Sequence, residues 1–150
     1  MSQGRIVAVC LGPGGVPKPE VEAARVGELG LEGDGHRFHL HGGPDRAVCL
    51  FDVETARELE RDGVRPLVPG DFGENLLTEG LDSRSLAIGD RLEVGDEVVL
   101  EISDVRAPCK TLRSVDARFP DLMLGRSGWL ARVVTGGRVC RGDGIRKSSA

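Results

Sequence analysis

The chain has 150 residues, with 20 basic against 24 acidic side chains and a formal charge of −4. That length suits one domain with a real core, and the mildly acidic balance argues against a general nucleic-acid binder, while leaving room for a local basic pocket around a small anion. Twenty-two glycines, eight prolines, no tyrosine and 3% aromatic residues argue against a base-stacking platform and predict many tight turns between short strands.

Residues 5–11 read as a first strand, stopped by Gly-Pro-Gly-Gly at 12–15. Residues 16–20, with two prolines, read as extended loop. In 21–29, Ala23 and Ala24 suit a helix, but the short length and the glycines at 27 and 30 favour a strand. Residues 30–45 form a long polar loop holding all three histidines. An apolar strand follows at 46–51. Asp52 then offers an N-cap to a short helix bearing Val53, Ala56, Arg57 and Leu59, which Gly63 ends. Residues 65–73 are loop, with prolines at 66 and 69.

The second half reads as hairpins. A short strand is expected at 75–78. Residues 86–94, the turn Gly95-Asp96 and residues 97–103 predict a hairpin whose returning strand buries Val98, Leu100 and Ile102. A short helix is expected at 110–115, after Pro108. Two further strands, 129–135 and 138–140, flank Gly136-Gly137. The expectation is a mainly β, single domain over 1–146, with a short flexible tail at 147–150.

The four cysteines, Cys10, Cys49, Cys109 and Cys140, make no C-x-x-C unit, which argues against a zinc knuckle or a catalytic dithiol. Cys10, Cys49 and Cys140 lie in apolar strand-like runs and read as small buried hydrophobes. The opening MSQGRIVAVC has no apolar stretch followed by a cleavage site, and no run approaches a membrane span. A reduced, cytoplasmic setting without a membrane partner is therefore expected.

Cys109 differs. It sits between Pro108 and Lys110, close to Arg106. Neighbouring cations favour thiolate over thiol, which makes a better nucleophile and a better ligand for a soft metal. Gly42-Gly43-Pro44-Asp45 lets backbone approach a ligand and can aim N–H groups at an anion, though the same residues also make an ordinary turn. Asn75, after Gly73 and Glu74, has the donors and acceptor to meet a heterocycle edge; the local pattern favours an Asx-turn. His36, His39 and His41 offer three imidazoles to zinc or iron. No acidic or sulfur ligand completes that set, and strand-like alternation separates His36 from the other two. A polar lining role is favoured for them. Ser127, in Gly-Arg-Ser-Gly, lacks the nucleophile-elbow pattern, and no carboxylate pair stands out.

Five stretches occur in order: GLEGDGHRFHLHGGPDRAVCLF (30–51), PGDFGENLLTEGL (69–81), IGDRLEVG (88–95), VRAPCKTL (105–112) and GRSGWLARVV (125–134). Together they cover most of the chain and resemble the MOSC family, named after the carboxy-terminal domain of molybdenum cofactor sulfurases. The chain is most similar to stand-alone members. One departure is the glycine that looks inserted in Gly33-Asp34-Gly35-His36.

The resemblance implies a barrel-like β fold and binding of the molybdenum cofactor (molybdopterin). It places the family's functional cysteine on Cys109, as molybdenum ligand or persulfide carrier. It also matches the glycine-rich binding segments at Gly42, Gly43, Asp45, Glu74 and Asn75. His41, Arg106 and Lys110 join the expected cofactor-binding set, the last two by keeping Cys109 ionised and offsetting the anionic cofactor. Pterin contacts that larger relatives draw from another domain must come from within the domain or across a homodimer interface.

The expected activity is reduction of N-hydroxylated bases or related N-oxygenated small molecules. An external electron donor is required, since no flavin, haem or iron–sulfur motif is present. The alternative is a carrier of cofactor or persulfide sulfur, working with a cofactor-donating protein and without turnover of its own. A metal-independent binding module is a third reading. Fold likeness alone does not choose among them.

Overall fold

Short apolar runs separated by glycine turns build a closed barrel rather than a sandwich. The computed structural model describes residues 3–13, 16–35, 44–107 and 110–148, Lys110 and Thr111 by backbone alone. His36, His39, His41, Gly42, Gly43 and Cys109 lie outside the described residues.

The barrel strands are β1 (Gln3–Cys10), β5 (Val48–Asp52), β6 (Leu76–Glu79), β7 (Arg91–Val94), β8 (Val98–Val105), β9 (Trp129–Thr135) and β11 (Gly144–Lys147). Their order around the sheet is β11-β7-β8-β9-β5-β6-β1, and β1 pairs back with β11 to close it. One edge of β1 is shared. Its first residues pair with β11, and Val9 and Cys10 pair with the two-residue strand β2 (Glu20–Val21). A second sheet of three strands comprises β10 (Gly137–Cys140), β3 (Ala23–Gly27) and β4 (Gly30–Leu31).

Every pairing in the barrel is antiparallel except β5 with β6. A parallel pair needs a crossover, and the helix α1 (Val53–Arg61) lies in that connection. Asp52 ends β5 and caps α1. Its carboxylate accepts from the Thr55 amide at 2.8 Å and the Thr55 hydroxyl at 2.7 Å. Past the helix, Gly63 adopts φ 99° and the Val64 amide donates back to the Leu59 carbonyl at 3.1 Å, a left-handed stop that suits glycine.

Two cores result. Inside the barrel pack Ile6, Val9, Leu50, Leu76, Leu92, Leu100, Ile102 and Ile145. A second cluster joins Ala8, Cys10, Phe51, Leu59, Phe72, Leu112, Phe119 and Met123. Three of the four phenylalanines meet in it, with ring centroids 4.6 Å apart for Phe51–Phe72 and 5.6 Å for Phe72–Phe119. The scarce aromatics thus hold the second core, and aliphatic residues fill the barrel.

The mainly β reading holds, with local differences; the two-residue strands β2 and β4 also fall partly or wholly in expected loop. Only Arg91–Val94 of the expected 86–94 strand is extended. Ahead of it the Asp90 carboxylate accepts from the Ala87 amide at 2.9 Å, Gly89 takes φ 96° and Ile88 is exposed. The strands flanking Gly136-Gly137 do not pair with each other, because β9 joins β8 and β5 while β10 joins β3. Lys147, where the tail is expected to begin, is the last residue of β11, and the Ser148 amide still donates to the Arg91 carbonyl at 2.9 Å. Ile145 is the one buried residue of β11, so its hydrophobic signal is minimal; cross-strand pairs Arg146–Glu93 and Lys147–Asp90 accompany its pairing.

Cys10, Cys49 and Cys140 are free thiols in strands, the first two buried and the third half-buried. Among the described residues no helix is long and apolar enough to cross a membrane.

Candidate functional site

The ladder of β1, β6 and β5 ends at Cys10, Asn75 and Cys49. Asn75 lies between the other two and binds both. Its amide donates to the Cys49 carbonyl and its carbonyl accepts from the Cys10 amide, each at 2.8 Å. Its side chain repeats the pattern. Oδ1 accepts from the Cys49 amide at 2.9 Å, and Nδ2 donates to the Cys10 carbonyl at 3.2 Å and to Asp34 Oδ2 at 2.9 Å. These partners lie far away in sequence, so the side chain is a long-range stitch rather than an Asx-turn. Both its N–H groups are taken.

Glu74 closes the turn that precedes Asn75. Its carboxylate accepts from the Gly70 amide at 2.9 Å and the Phe72 amide at 3.2 Å. Burial pushes its pKa up; the backbone donors and the Arg106 cation pull the other way. Gly70 must be glycine. It has φ 90°, and a Cβ there would fall 1.8 Å from the Lys18 carbonyl oxygen. The Lys18 amide in turn donates to the Gly70 carbonyl at 2.9 Å.

Arg106, just past β8, reaches this turn. Its Nη2 donates to the Phe72 carbonyl. Its amide donates to the Gly128 carbonyl at 3.0 Å, and its own carbonyl accepts from the Ser127 hydroxyl. Its Nη1 is buried and finds no acceptor among the described residues. A buried polar group without a partner carries a desolvation cost, larger when the group is charged.

Two residues that sequence reasoning did not select join this corner. Lys18 and Asp34 form an ion pair at 3.0 Å, with side chains 9% and 3% exposed. The visible signals are modest: Lys18 lies between Pro17 and Pro19, and Asp34 lies between two glycines. Nearby, burial and then Glu74 push the Cys10 thiol up to about 12. Burial also raises Cys49, against the pull of Arg106 and Lys18.

The structure therefore brings Glu74, Asn75 and Arg106 together. Asp45 is placed differently. In the 3-10 turn Pro44–Arg46 its carboxylate is exposed and pairs with Arg132 of β9 at 3.2 Å. Lys110 begins the 3-10 turn Lys110–Ser114. His41, Gly42, Gly43 and Cys109 lie outside the described residues. Among the described residues no group of three or more His, Cys, Asp or Glu side chains could hold a metal ion.

The sequence profile of the MOSC domain matches residues 37–146. The chain belongs to the MOSC domain family. Protein YiiM of Escherichia coli is 37% identical over 137 residues, covering 85% of this MOSC chain and 60% of YiiM. A protein named Reductase from Gibberella moniliformis is 35% identical over 126 residues, covering 77% of the chain but 22% of that protein. The chain thus spans less than two thirds of these relatives. The crystal structure of YiiM from Geobacillus stearothermophilus superposes with a TM-score of 0.81 at 25% identity, covering 97% of this chain and 75% of that one. The MOSC family is associated with the molybdenum cofactor, which is consistent with a cofactor-related role.

Proposed function

We propose that this MOSC domain binds the molybdenum cofactor and reduces N-hydroxylated bases or related N-oxygenated small molecules. Cys109 is the thiolate ligand to molybdenum, and an external donor supplies electrons. The observation that carries this reading is the buried Arg106 Nη1 with no acceptor among the described residues, beside the 70–75 turn whose Phe72 carbonyl takes the other Arg106 nitrogen. A charged donor in that setting suits an anionic ligand, and the cofactor is one.

The roles divide between holding and touching. Glu74 and Asn75 hold the turn and strand ends, because their polar atoms already engage protein partners. Arg106 offers a donor that has no acceptor among the described residues. Lys110 offsets negative charge next to Cys109 and favours its thiolate. His41, Gly42, Gly43 and Asp45 join the cofactor-binding set on the family resemblance. The cofactor, when bound, supplies the two-electron chemistry, and the protein binds it, orients it and limits water. Free thiols at Cys10, Cys49 and Cys140 suit a reduced cytoplasmic setting.

A second reading is a carrier of cofactor or persulfide without turnover. It is favoured by the small share of the similar reductase that the chain spans, 22%, since a whole reductase's activity does not follow from that match. One experiment separates the two. Protein made in a host that synthesises the cofactor is analysed for molybdenum and pterin, then assayed on an N-hydroxylated base with an artificial donor. Reduction that disappears in Cys109→Ser supports the enzyme, since a hard hydroxyl replaces a soft thiolate at nearly the same shape. Bound cofactor with no reduction by any donor supports the carrier. Absence of cofactor from the wild type overturns the enzyme and the cofactor-carrier readings.

A further inference from the structure

A buried ion pair is a weak source of stability, because removing two charges from water offsets their attraction. Lys18 and Asp34 are the most deeply buried of the ion pairs among the described residues, so the reason for their burial lies elsewhere. Their hydrogen bonds supply one.

The Asp34 carboxylate accepts three donors from three separate segments. The Gly12 amide reaches Oδ1 at 3.1 Å, and Lys18 Nζ and Asn75 Nδ2 reach Oδ2 at 3.0 and 2.9 Å. The Gly35 amide donates to the Gly12 carbonyl at 2.6 Å, which ties the next residue of the chain to the same point. On the other side, the Lys18 amide holds the Gly70 carbonyl, the Gly70 amide binds Glu74, and Phe72 of that turn accepts from Arg106. The contacts run unbroken from Asp34 to Arg106.

We propose that Asp34, neutralised by Lys18, is a positioning residue of the cofactor site. It locks the 70–75 turn that supports Arg106, and it holds Gly35 through Gly12. The proposal rests on the cofactor reading of the Arg106 corner. The chemistry demands a carboxylate. Two oxygens with free lone pairs accept three donors; an asparagine has one oxygen and turns an N–H₂ group toward at least one of those donors. Lys18 supplies the counter-charge, 3.0 Å away.

Asp34→Asn, Lys18→Met and the double variant test this by three measurements. Hydrogen exchange on cofactor-free protein reads the local effect. Asp34→Asn and the double variant should speed exchange at Gly12 and across 70–75, and leave β7 and β8 at the wild-type rate. Thermal melting reads global stability. Asp34→Asn should melt lower because it leaves Lys18 buried without a counter-charge, and the double variant should recover most of the loss. Molybdopterin content after expression in a cofactor-making host reads the site. It should fall by about tenfold or more in Asp34→Asn and in the double variant, as for groups that orient a ligand shell.

A stabilising role alone predicts that cofactor content recovers with melting temperature. A double variant that melts like wild type, keeps wild-type exchange at Gly12 and 70–75 and retains full cofactor would overturn the proposal. Exchange is read without cofactor. A wild type that takes up none therefore counts against the proposed function, and exchange still decides whether Asp34 positions the turn.

Discussion

The barrel interior and the polar corner at the end of β1, β5 and β6 are built by different rules. In the barrel, ladder partners meet the backbone N–H and C=O groups, and the side chains are aliphatic volume. At the corner, where the β1–β6–β5 ladder ends, polar side-chain atoms take over. Asn75 serves Cys10 and Cys49, Glu74 serves Gly70 and Phe72, and Asp34 serves Gly12. Volume can be exchanged among apolar residues at modest cost, whereas a buried donor needs a particular acceptor. The corner is thus the specific part of the molecule, and the barrel is the tolerant frame that presents it.

The largest effect that sharpens this contrast is in thiol reactivity. Cys10 is raised from 9.0 to about 12, so its thiolate fraction at pH 8 lies about a thousandfold below that of an unperturbed thiol. A raised pKa keeps the group protonated until the pH nears the raised value. Alkylation of native protein from pH 7 to 10 should therefore label Cys109 first and leave Cys10 and Cys49 nearly untouched. Early labelling of either buried thiol would show that the corner opens.

Next come two truncations that should diverge. Leu100→Ala, at a fully buried barrel position, should cost about 2–5 kcal/mol in denaturant unfolding while cofactor content per folded protein stays at wild type. Asn75→Ala should cost roughly 3 kcal/mol, because it leaves the Cys49 N–H and Cys10 C=O groups buried and short of partners. That variant should also lose cofactor. Equal cofactor content in the two variants would erase the distinction between frame and corner. The smallest of the set is Gly70→Ala. Its φ of 90° and the contact with the Lys18 carbonyl should cost on the order of 1–3 kcal/mol and lower cofactor uptake by pushing the turn away from Lys18.

Local features were legible in advance. β1 and β5 are apolar runs, and β8 alternates with Val98, Leu100 and Ile102 buried. Asp52 caps α1 and Gly63 stops it, because both signals act within a few residues. The ordered segments also carried the family, and Glu74, Asn75 and Arg106 were chosen from them. The role given to Asn75 by its local pattern did not hold, because its partners are residues 10, 34 and 49 rather than its own turn.

By itself the sequence determined that β1, β5 and β8 are strands, where the helix begins and ends, and which family's segments it carries. Those depend on hydrophobic period, capping and turn residues, all short-range properties. Tertiary structure alone decided that β11, with a single buried side chain, closes the barrel onto β1. It alone brought Lys18 to Asp34 and Asp34 to Asn75, across separations of 16 and 41 residues. A buried charge reveals its partner only once the chain has folded around it, since solvent would serve either ion as well until burial removes the water.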